Sequence, residues 1–133
     1  MDFLELAKTR YTERKYSTKA VEEDKIKMIL EAGRIAPTAK NIQCQKVYVA
    51  QSKDAMDKIR KVTPCHYGAP LAMIICYDKD QEWHNPSDNK VTSGVEDASI
   101  VATHMMMEAA DLDVHTTWVN MFNPREITEV FGL

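Results

Sequence analysis

An uninterrupted apolar run, Leu71 to Tyr77, follows directly after Pro70. A segment without a polar side has no face to turn toward water, so it predicts a strand that is buried on both faces. A second strand is predicted at Lys46 to Ala50, which contains β-branched and aromatic residues. Such strands require other elements to pack against each face of their sheet.

Helical periodicity provides candidates for these covering elements. The strongest pattern runs from Val95 to Leu112, where apolar residues recur at helical spacing. Further helices are predicted over four segments: Phe3 to about Thr9, Ser17-Thr18 to before Pro37, Ser52 to before Pro64, and a short one from Pro124. Because helices alternate with strands along the chain, the pattern indicates an α+β class or a three-layer arrangement.

The remaining segments are predicted to lack helices. Asp78 to Ser93 is polar and predicts a surface loop, and Val114 to Phe122 is predicted to be extended. No repeat, low-complexity tract or internal boundary is visible in the sequence, and a length of 133 residues suits one unit. We therefore expect a single domain that comprises residues 1–133.

Composition and charge exclude several classes of partner. The net charge is −3, and the 17 basic residues are scattered among 20 acidic ones, which argues against nonspecific nucleic-acid binding. No apolar stretch is long enough to span a membrane, and the acidic, amphipathic N-terminus is unlike a secretory signal peptide. The three cysteines lack metal-ligand spacing and suit a reducing compartment. We therefore expect a cytoplasmic protein without a metal site.

Two short blocks carry the groups that could bind a ligand. The first, Arg10 to Tyr16, offers two guanidinium groups and a hydroxyl within five residues, and guanidinium forks suit a phosphate or a polarised carbonyl. The second, Pro37 to Gln43, is a turn of small and amide-bearing residues that allows close approach to a flat polar ligand. Taken alone, each block could equally be a solvated helix end or an ordinary loop.

The order and spacing of these blocks resemble those of the FMN-dependent nitroreductase family. There, an Arg-x-Ser/Thr-x-Arg/Lys-x-Phe/Tyr motif is followed by an Ala-Pro-Ser/Thr-x-x-Asn-x-Gln motif. The resemblance continues along the chain through four further segments: Gly68-Ala69-Pro70 before the apolar run, Val95 to Leu112, Thr117 to Phe122, and Pro124 to the final Phe-Gly-Leu. Family members continue for several dozen residues beyond the point that corresponds to Leu133, so the resemblance implies a chain that is short at its C-terminus.

The family resemblance implies a fold and an assembly. The expected fold is a three-layer α/β/α arrangement in which helices flank a mainly antiparallel sheet. The expected assembly is an interlocked homodimer with both flavins at the interface. A small monomer would have difficulty building a flavin pocket without losing core, because a chain of this size buries only about two-thirds of its unfolded surface.

The first block is expected, by resemblance, to bind the polar end and one edge of FMN. Arg10 corresponds to the phosphate clamp, Thr12 adds a hydroxyl nearby, and Tyr11 lies between them in the motif. Arg14 corresponds to the basic residue beside flavin N1 and O2, where a fixed cation stabilises the negative charge that reduction brings.

The second block is expected to reach the isoalloxazine ring from the partner subunit. The resemblance assigns this contact to Pro37, Thr38 and Ala39, and it places the polar residues Asn41 and Gln43 near the ring. Asn41 could equally be a turn residue that bonds its own backbone.

A third segment, Thr117 to Phe122, is expected to contribute backbone groups. Asn120 and Met121 occupy the positions at which the family presents N–H groups to flavin N5 and O4. Trp118, in the same segment, is interpreted as a core or interface residue rather than a stacking partner.

The resemblance implies an FMN-dependent oxidoreductase that takes hydride from NADH or NADPH and passes it to a flat, electron-poor acceptor such as a nitroaromatic or a quinone. The expected mechanism is ping-pong and requires no catalytic side chain. Two alternatives remain: a non-catalytic flavin-binding or storage protein of the same fold, and a dimerising domain that has lost the cofactor.

Overall fold

The structure, a computed structural model, describes residues 1–133. It contains five helices and four strands, which in chain order are α1 (Phe3–Thr9), α2 (Glu23–Arg34), β1 (Gln45–Ala50), α3 (Lys53–Val62), β2 (Ala72–Tyr77), β3 (His84–Asn85), β4 (Asp88–Thr92), α4 (Gly94–Asp111) and α5 (Pro124–Phe131). A short 3-10 turn, Ala39–Asn41, precedes β1. None of the helices combines the length and hydropathy that a bilayer crossing needs.

Three of the five helices begin with a capping side chain that is readable in the sequence. The Ser52 side chain accepts a hydrogen bond from the Ala55 amide at the start of α3, as N-cap serines commonly do. Pro124 occupies the first turn of α5, and Gly132 ends that helix in the left-handed conformation with φ 67°. The helices predicted to begin at Ser52 and at Pro124 are therefore confirmed.

The central sheet consists of β1 and β2, which pair antiparallel from Gln45 opposite Tyr77 to Ala50 opposite Ala72. One face packs against α2 and α4 through Val47, Met73 and Ile75. The other face packs through Ala50, Ala72 and Ile74 against α3 and the Phe131 ring of α5. The molecule therefore has helices on both sides of its sheet, and the predicted α+β fold with three layers is confirmed.

The apolar run is covered on both faces, as predicted, but it is not fully buried. Every residue of β2 remains partly exposed. A two-stranded sheet has two outer edges, so side chains of β2 are open to solvent beside the edge that β1 does not cover.

The main core lies between α2 and α4, where Ile29, Val101, Met105 and Ala109 pack together. Gly33 lets the two helices approach closely, because a Cβ at this position would lie 2.8 Å from the Met105 sulfur. The close contact explains why a glycine is tolerated near the end of a helix that otherwise follows an amphipathic pattern.

Two predictions about local structure were wrong. α2 begins at Glu23 rather than at Ser17-Thr18, because the Ser17 hydroxyl accepts a hydrogen bond from the Lys19 amide in a local turn and the apolar face of the helix starts only at Ile26. The segment predicted as a polar surface loop forms the antiparallel hairpin of β3 and β4. Its strands are short and polar, so they lack the apolar alternation that predicts a strand.

Candidate functional site

The first block crosses the segment that follows α4 and is fixed to it by the backbone. Thr12 forms an isolated parallel bridge with Thr116, and the Glu13 amide donates to the Thr116 carbonyl at 3.1 Å. Arg10 lies directly before this crossing, where its own amide ends α1 by donating to the Leu6 carbonyl. The extended prediction for Val114 to Phe122 is confirmed only in that one bridge, since the rest of the segment is irregular.

Side chains reinforce this crossing. The hydroxyls of Tyr16 and Thr117 lie 2.8 Å apart, and the Thr117 hydroxyl also donates to the Glu13 carbonyl. The Tyr16 amide donates to the Tyr67 carbonyl at 3.3 Å. The block is thus held at several points, and the two arginines extend from a fixed backbone.

Tyr11, Glu13 and His115 form a polar cluster beside Arg10. The Tyr11 hydroxyl donates to Glu13 Oε2 at 3.1 Å and lies 2.9 Å from His115 Nδ1. Loss of hydration, followed by the nearby Glu13 carboxylate, raises the pKa of the Tyr11 phenol. Hydrogen bonds from the Lys15 amide and from the Tyr11 hydroxyl lower the pKa of Glu13. The Tyr11 hydroxyl is therefore already engaged within the chain, and the role of Tyr11 toward a cofactor stays a prediction.

A cavity of about 200 Å³ opens at this cluster. Its wall is formed by nine residues from α1, α4 and the crossing: Met1, Thr9, Arg10, Tyr11, Ala110, Asp113, Val114, His115 and Thr116. Ligand pockets usually measure about 300–1,000 Å³. The cavity can therefore hold a fragment such as a phosphate, but a whole flavin nucleotide needs additional walls.

Both arginines of the first block are free to bind a ligand. Neither the Arg10 nor the Arg14 guanidinium forms an ion pair within the chain, whereas Arg34 and Arg60 are each paired with a neighbouring carboxylate. Arg14 is exposed and Arg10 is partly buried. The two guanidiniums therefore keep their full capacity to donate paired hydrogen bonds to an anion.

The second block is a tight turn with an unusual backbone. Lys40, Asn41 and Gln43 have φ values of 51°, 53° and 56°, a region that residues other than glycine adopt rarely. Local bonds hold this shape, among them the bond from the Gln43 amide to the Thr38 hydroxyl at 3.0 Å. The Asn41 side chain forms no hydrogen bond in the chain. Asn41 therefore contributes to the turn through its left-handed backbone conformation.

The start of α4 supports this turn. The Ala39 amide donates to Asp97 Oδ1 at 2.9 Å, and Asp97 is only 2% exposed. Pro37 remains exposed and Thr38 partly buried. The turn therefore presents one surface to solvent while its inner side rests on α4.

The third segment presents unengaged backbone donors. The Asn120 side chain accepts a hydrogen bond from Trp118 Nε1 at 3.0 Å, and the Met121 carbonyl accepts one from the Thr63 hydroxyl at 2.8 Å. The amides of Asn120 and Met121 themselves donate to no acceptor in the chain. Trp118 is 44% exposed, which excludes a core role within one subunit.

The structure brings the first block and the third segment together but keeps the second block apart. Arg10 shares its cavity with Ala110, near the end of α4, whereas Ala39 contacts Asp97 in the first turn of that helix. Thirteen residues of helix between these positions span about 20 Å. One subunit therefore carries the blocks at opposite ends of α4.

Two features of the site escaped the sequence predictions. His115 lies 104 residues from Tyr11, and Asp97 lies 58 residues from Ala39. No local pattern connects such distant residues; the available signal was an acidic side chain, Asp97, within the predicted helix and a histidine, His115, within the segment that follows it. No group of three or more metal-ligating side chains comes together in the structure.

Comparison with known proteins decides the family. The model of the nitroreductase family matches residues 7–66 and 63–133, which together include nearly the whole chain. The chain belongs to the nitroreductase family. The first and second blocks and the third segment all lie within the matched residues.

Individual nitroreductase relatives agree with this assignment. The chain is 31% identical over 128 residues to a protein of Methanothermobacter thermautotrophicus provisionally named NADH dehydrogenase/NAD(P)H nitroreductase, a match covering 92% of this chain. The chain spans 62% of the length of that archaeal relative. A crystal structure of a nitroreductase family protein from Clostridium difficile 630 is 43% identical, with a TM-score of 0.96, and the match covers all of this chain and 76% of that one.

A further solved structure shares the nitroreductase fold at lower identity. A protein from Exiguobacterium sibiricum 255-15 that is provisionally named a nitroreductase, solved in complex with FMN, is 18% identical to this chain. Its TM-score is 0.84, and the match covers 100% of this chain and 81% of that one. At this identity the likeness shows the fold alone.

Proposed function

We propose that the protein is an FMN-dependent oxidoreductase of the nitroreductase kind, working as a homodimer. The observation that carries this proposal is the crossing of the first block over the third segment. Two unpaired guanidiniums, those of Arg10 and Arg14, extend from one of the two crossing segments, and two unengaged backbone amides follow the crossing on the other. From Thr117, where the crossing ends, to Met121 an extended chain spans at most about 14 Å, so these groups could contact one elongated ligand.

The chemistry of these donors fits a flavin mononucleotide. Arg10 and the Thr12 hydroxyl would bind the phosphate, and Arg14 would place a positive charge beside the pyrimidine edge. The amides of Asn120 and Met121 would donate to the ring atoms of that cofactor, with the Met121 carbonyl held in place by Thr63. When bound, FMN would accept hydride from NADH or NADPH and deliver it to a nitroaromatic, a quinone or a similar acceptor.

The role of the protein in this chemistry is binding and electrostatic preorganisation. A fixed cation and fixed N–H donors stabilise charge without reorganising during the reaction. We assign no catalytic side chain, because donor and acceptor would use the same face of the cofactor in turn. The second block would complete the site of the other subunit, since it contacts the start of α4 whereas Arg10 lies beside the end of that helix. Its members are Pro37, Thr38, Ala39, Asn41 and Gln43.

Exposed apolar side chains support the proposed dimer. The adjacent side chains Phe3 and Leu4 of α1 are 71% and 62% exposed, and contiguous exposed apolar surface often marks an interaction site. Sedimentation should show a dimer at micromolar concentration. A stable, folded monomer under those conditions would contradict the proposal, because half of each site would be missing.

An absorbance spectrum with and without NADPH tests the function directly. We expect protein reconstituted with FMN to be yellow and to bleach when NADPH is added without oxygen, with the colour returning when a quinone follows. Yellow protein that neither NADH nor NADPH bleaches would indicate a flavin-binding protein without this activity. Colourless protein that resists reconstitution would indicate a domain without a cofactor.

A further inference from the structure

Asp97 links the start of α4 to the second block through both of its carboxylate oxygens. Oδ2 accepts a hydrogen bond from the Ser93 hydroxyl at 2.7 Å, and Oδ1 accepts one from the Ala39 amide at 2.9 Å. Ser93 is the residue immediately before α4, whereas Ala39 lies 58 residues away in sequence. One oxygen is thus used to orient the side chain and the other to hold the turn.

The surroundings of Asp97 suit a carboxylate that is kept in a fixed position. The side chain lies in the first turn of α4, where the helix dipole favours a negative charge. It forms no ion pair with a lysine or arginine, and with 2% exposure it has little contact with water. A backbone N–H that donates to a charged acceptor forms a stronger bond than one that donates to a neutral acceptor.

The second block depends on this bond for its position against α4. Its other hydrogen bonds lie within the block or connect it to α2. The Gln43 amide bonds the Thr38 hydroxyl, and the Gln43 side chain reaches the Arg34 carbonyl at 3.4 Å. The bond between Ala39 and Asp97 is the only hydrogen bond that joins residues 37–43 to α4. It acts on a turn whose left-handed residues would favour other backbone conformations if released.

We propose that Asp97 is a positioning residue for the cofactor: it holds Pro37, Thr38 and Ala39 in the shape that contacts the flavin ring in the partner subunit. This assignment rests on the proposed function. Asp97 itself would not touch the cofactor, since its oxygens are occupied within the chain. A turn that is already shaped before the ligand arrives improves affinity, because less ordering is left for the binding step.

Three variants distinguish a positioning role of Asp97 from a general contribution to the stability of the fold. Asp97→Ala removes both bonds, whereas Asp97→Asn keeps an oxygen for the Ala39 amide and an N–H group for the Ser93 hydroxyl. Ser93→Ala removes only the side-chain bond at the start of α4 and leaves the Ala39 bond in place. If Asp97→Ala does not fold, Ala39→Pro removes the same bond from the other side, and the extended backbone of Thr38, with φ −132° and ψ 161°, tolerates a following proline.

The measurement is FMN titration of each dimeric variant, with visible circular dichroism of the bound flavin at saturation and the thermal midpoint of unfolding. We expect Asp97→Ala, or Ala39→Pro in its place, to raise the FMN Kd at least tenfold and to alter the flavin dichroism. Asp97→Asn should restore the affinity to within about threefold, and Ser93→Ala should lower the thermal midpoint without changing either flavin readout.

Two results would overturn the assignment. One is a wild-type Kd and dichroism in Asp97→Ala, or in Ala39→Pro where that variant replaces it. The other is an equal loss of flavin affinity in Ser93→Ala, which would show that only the stability of α4 matters. Wild-type protein that binds no FMN would instead contradict the proposed function itself, and the assignment with it.

Discussion

Arg10 and Arg14 lie four positions apart in one block, yet they should affect a bound cofactor differently. A contact with the phosphate is the same before and after reduction, so it provides uniform binding. Arg10→Ala should therefore weaken FMN binding by about 1.5–3 kcal/mol, as expected for a hydrogen bond to a charged group. Turnover of the flavin that remains bound should change little. Fluorescence titration measures the affinity, and an unchanged Kd would remove Arg10 from the site.

Arg14→Ala should instead lower the reduction potential of the bound flavin. Arg14 would stabilise negative charge that is present on the flavin only after reduction. Its loss would therefore destabilise the reduced flavin relative to the oxidised one. If that difference is about 1.4 kcal/mol, the two-electron midpoint falls by about 30 mV. Photoreduction against a reference dye reports the midpoint, and Lys15→Ala provides a matched control because Lys15 is also an exposed cation of the block. A mutant that holds flavin at an unchanged potential would make Arg14 an ordinary surface cation.

Glu13 should make the stability of the folded first block depend on pH. Because hydrogen bonds lower its pKa in the folded protein, Glu13 contributes stability above its unfolded pKa, near 4.3. That contribution is lost as the pH falls through the lower, folded value. The thermal midpoint of the wild type should exceed that of Glu13→Gln at pH 7, and the difference should shrink below about pH 4. Since both proteins share every other carboxylate, a constant difference would exclude this role for Glu13.

At the residue scale, motif order predicted more than local chemistry could. Arg10 and Thr12 belong to a spaced motif, and the structure places Thr12 on the crossing with Thr116 and Arg10 two residues before it. The motif could not reveal that Tyr11 bonds His115, because that contact depends on how two distant segments cross. The assigned cofactor contacts of all these residues stay predictions.

At the scale of elements, the contact between α2 and α4 is the most sensitive to added volume. Overpacking a core costs about 1–3 kcal/mol, and an alanine recovers about 1 kcal/mol of helix propensity over glycine. Gly33→Ala should therefore lower the free energy of unfolding by about 1 kcal/mol. Denaturant titration measures this change.

A double-mutant cycle identifies the atoms responsible for that loss. Met105→Ala removes the side chain that a Cβ at Gly33 would meet at 2.8 Å. In the Met105→Ala background, Gly33→Ala should cost little or should stabilise the protein, because the space is then free. An equal cost in both backgrounds would show that the Met105 side chain is not what the added methyl group meets.

Helices were predictable where caps and apolar periodicity coincided, as at Ser52 and Pro124. α2 was misplaced at its start because Ser17 resembles a cap but serves a local turn. The hairpin of β3 and β4 was missed because local side-chain bonds, such as Asn85 to the Ser87 amide, replace an apolar pattern. Polar hairpins of this kind carry little periodic information.

At the scale of the whole molecule, the three layers followed from the apolar run together with the alternation of helices and strands. What the sequence could not show is the distance between the two blocks. Pairing of β1 with β2 and packing of α4 along the sheet decide that distance, and both involve residues far apart in the chain. The single domain and the homodimer stay predictions.

The placement of the two blocks at opposite ends of α4 has a genetic consequence for a dimer. Arg10→Ala damages one half-site, and Asp97→Ala damages the other. In a mixed dimer of these variants, both lesions fall in the same site, so the second site is intact. Two defective proteins, unfolded and refolded together, should therefore recover about a quarter of the wild-type sites, because about half of the dimers are mixed. Flavin bound at limiting concentration measures the recovery, and complementation would be absent if each subunit formed its own complete site.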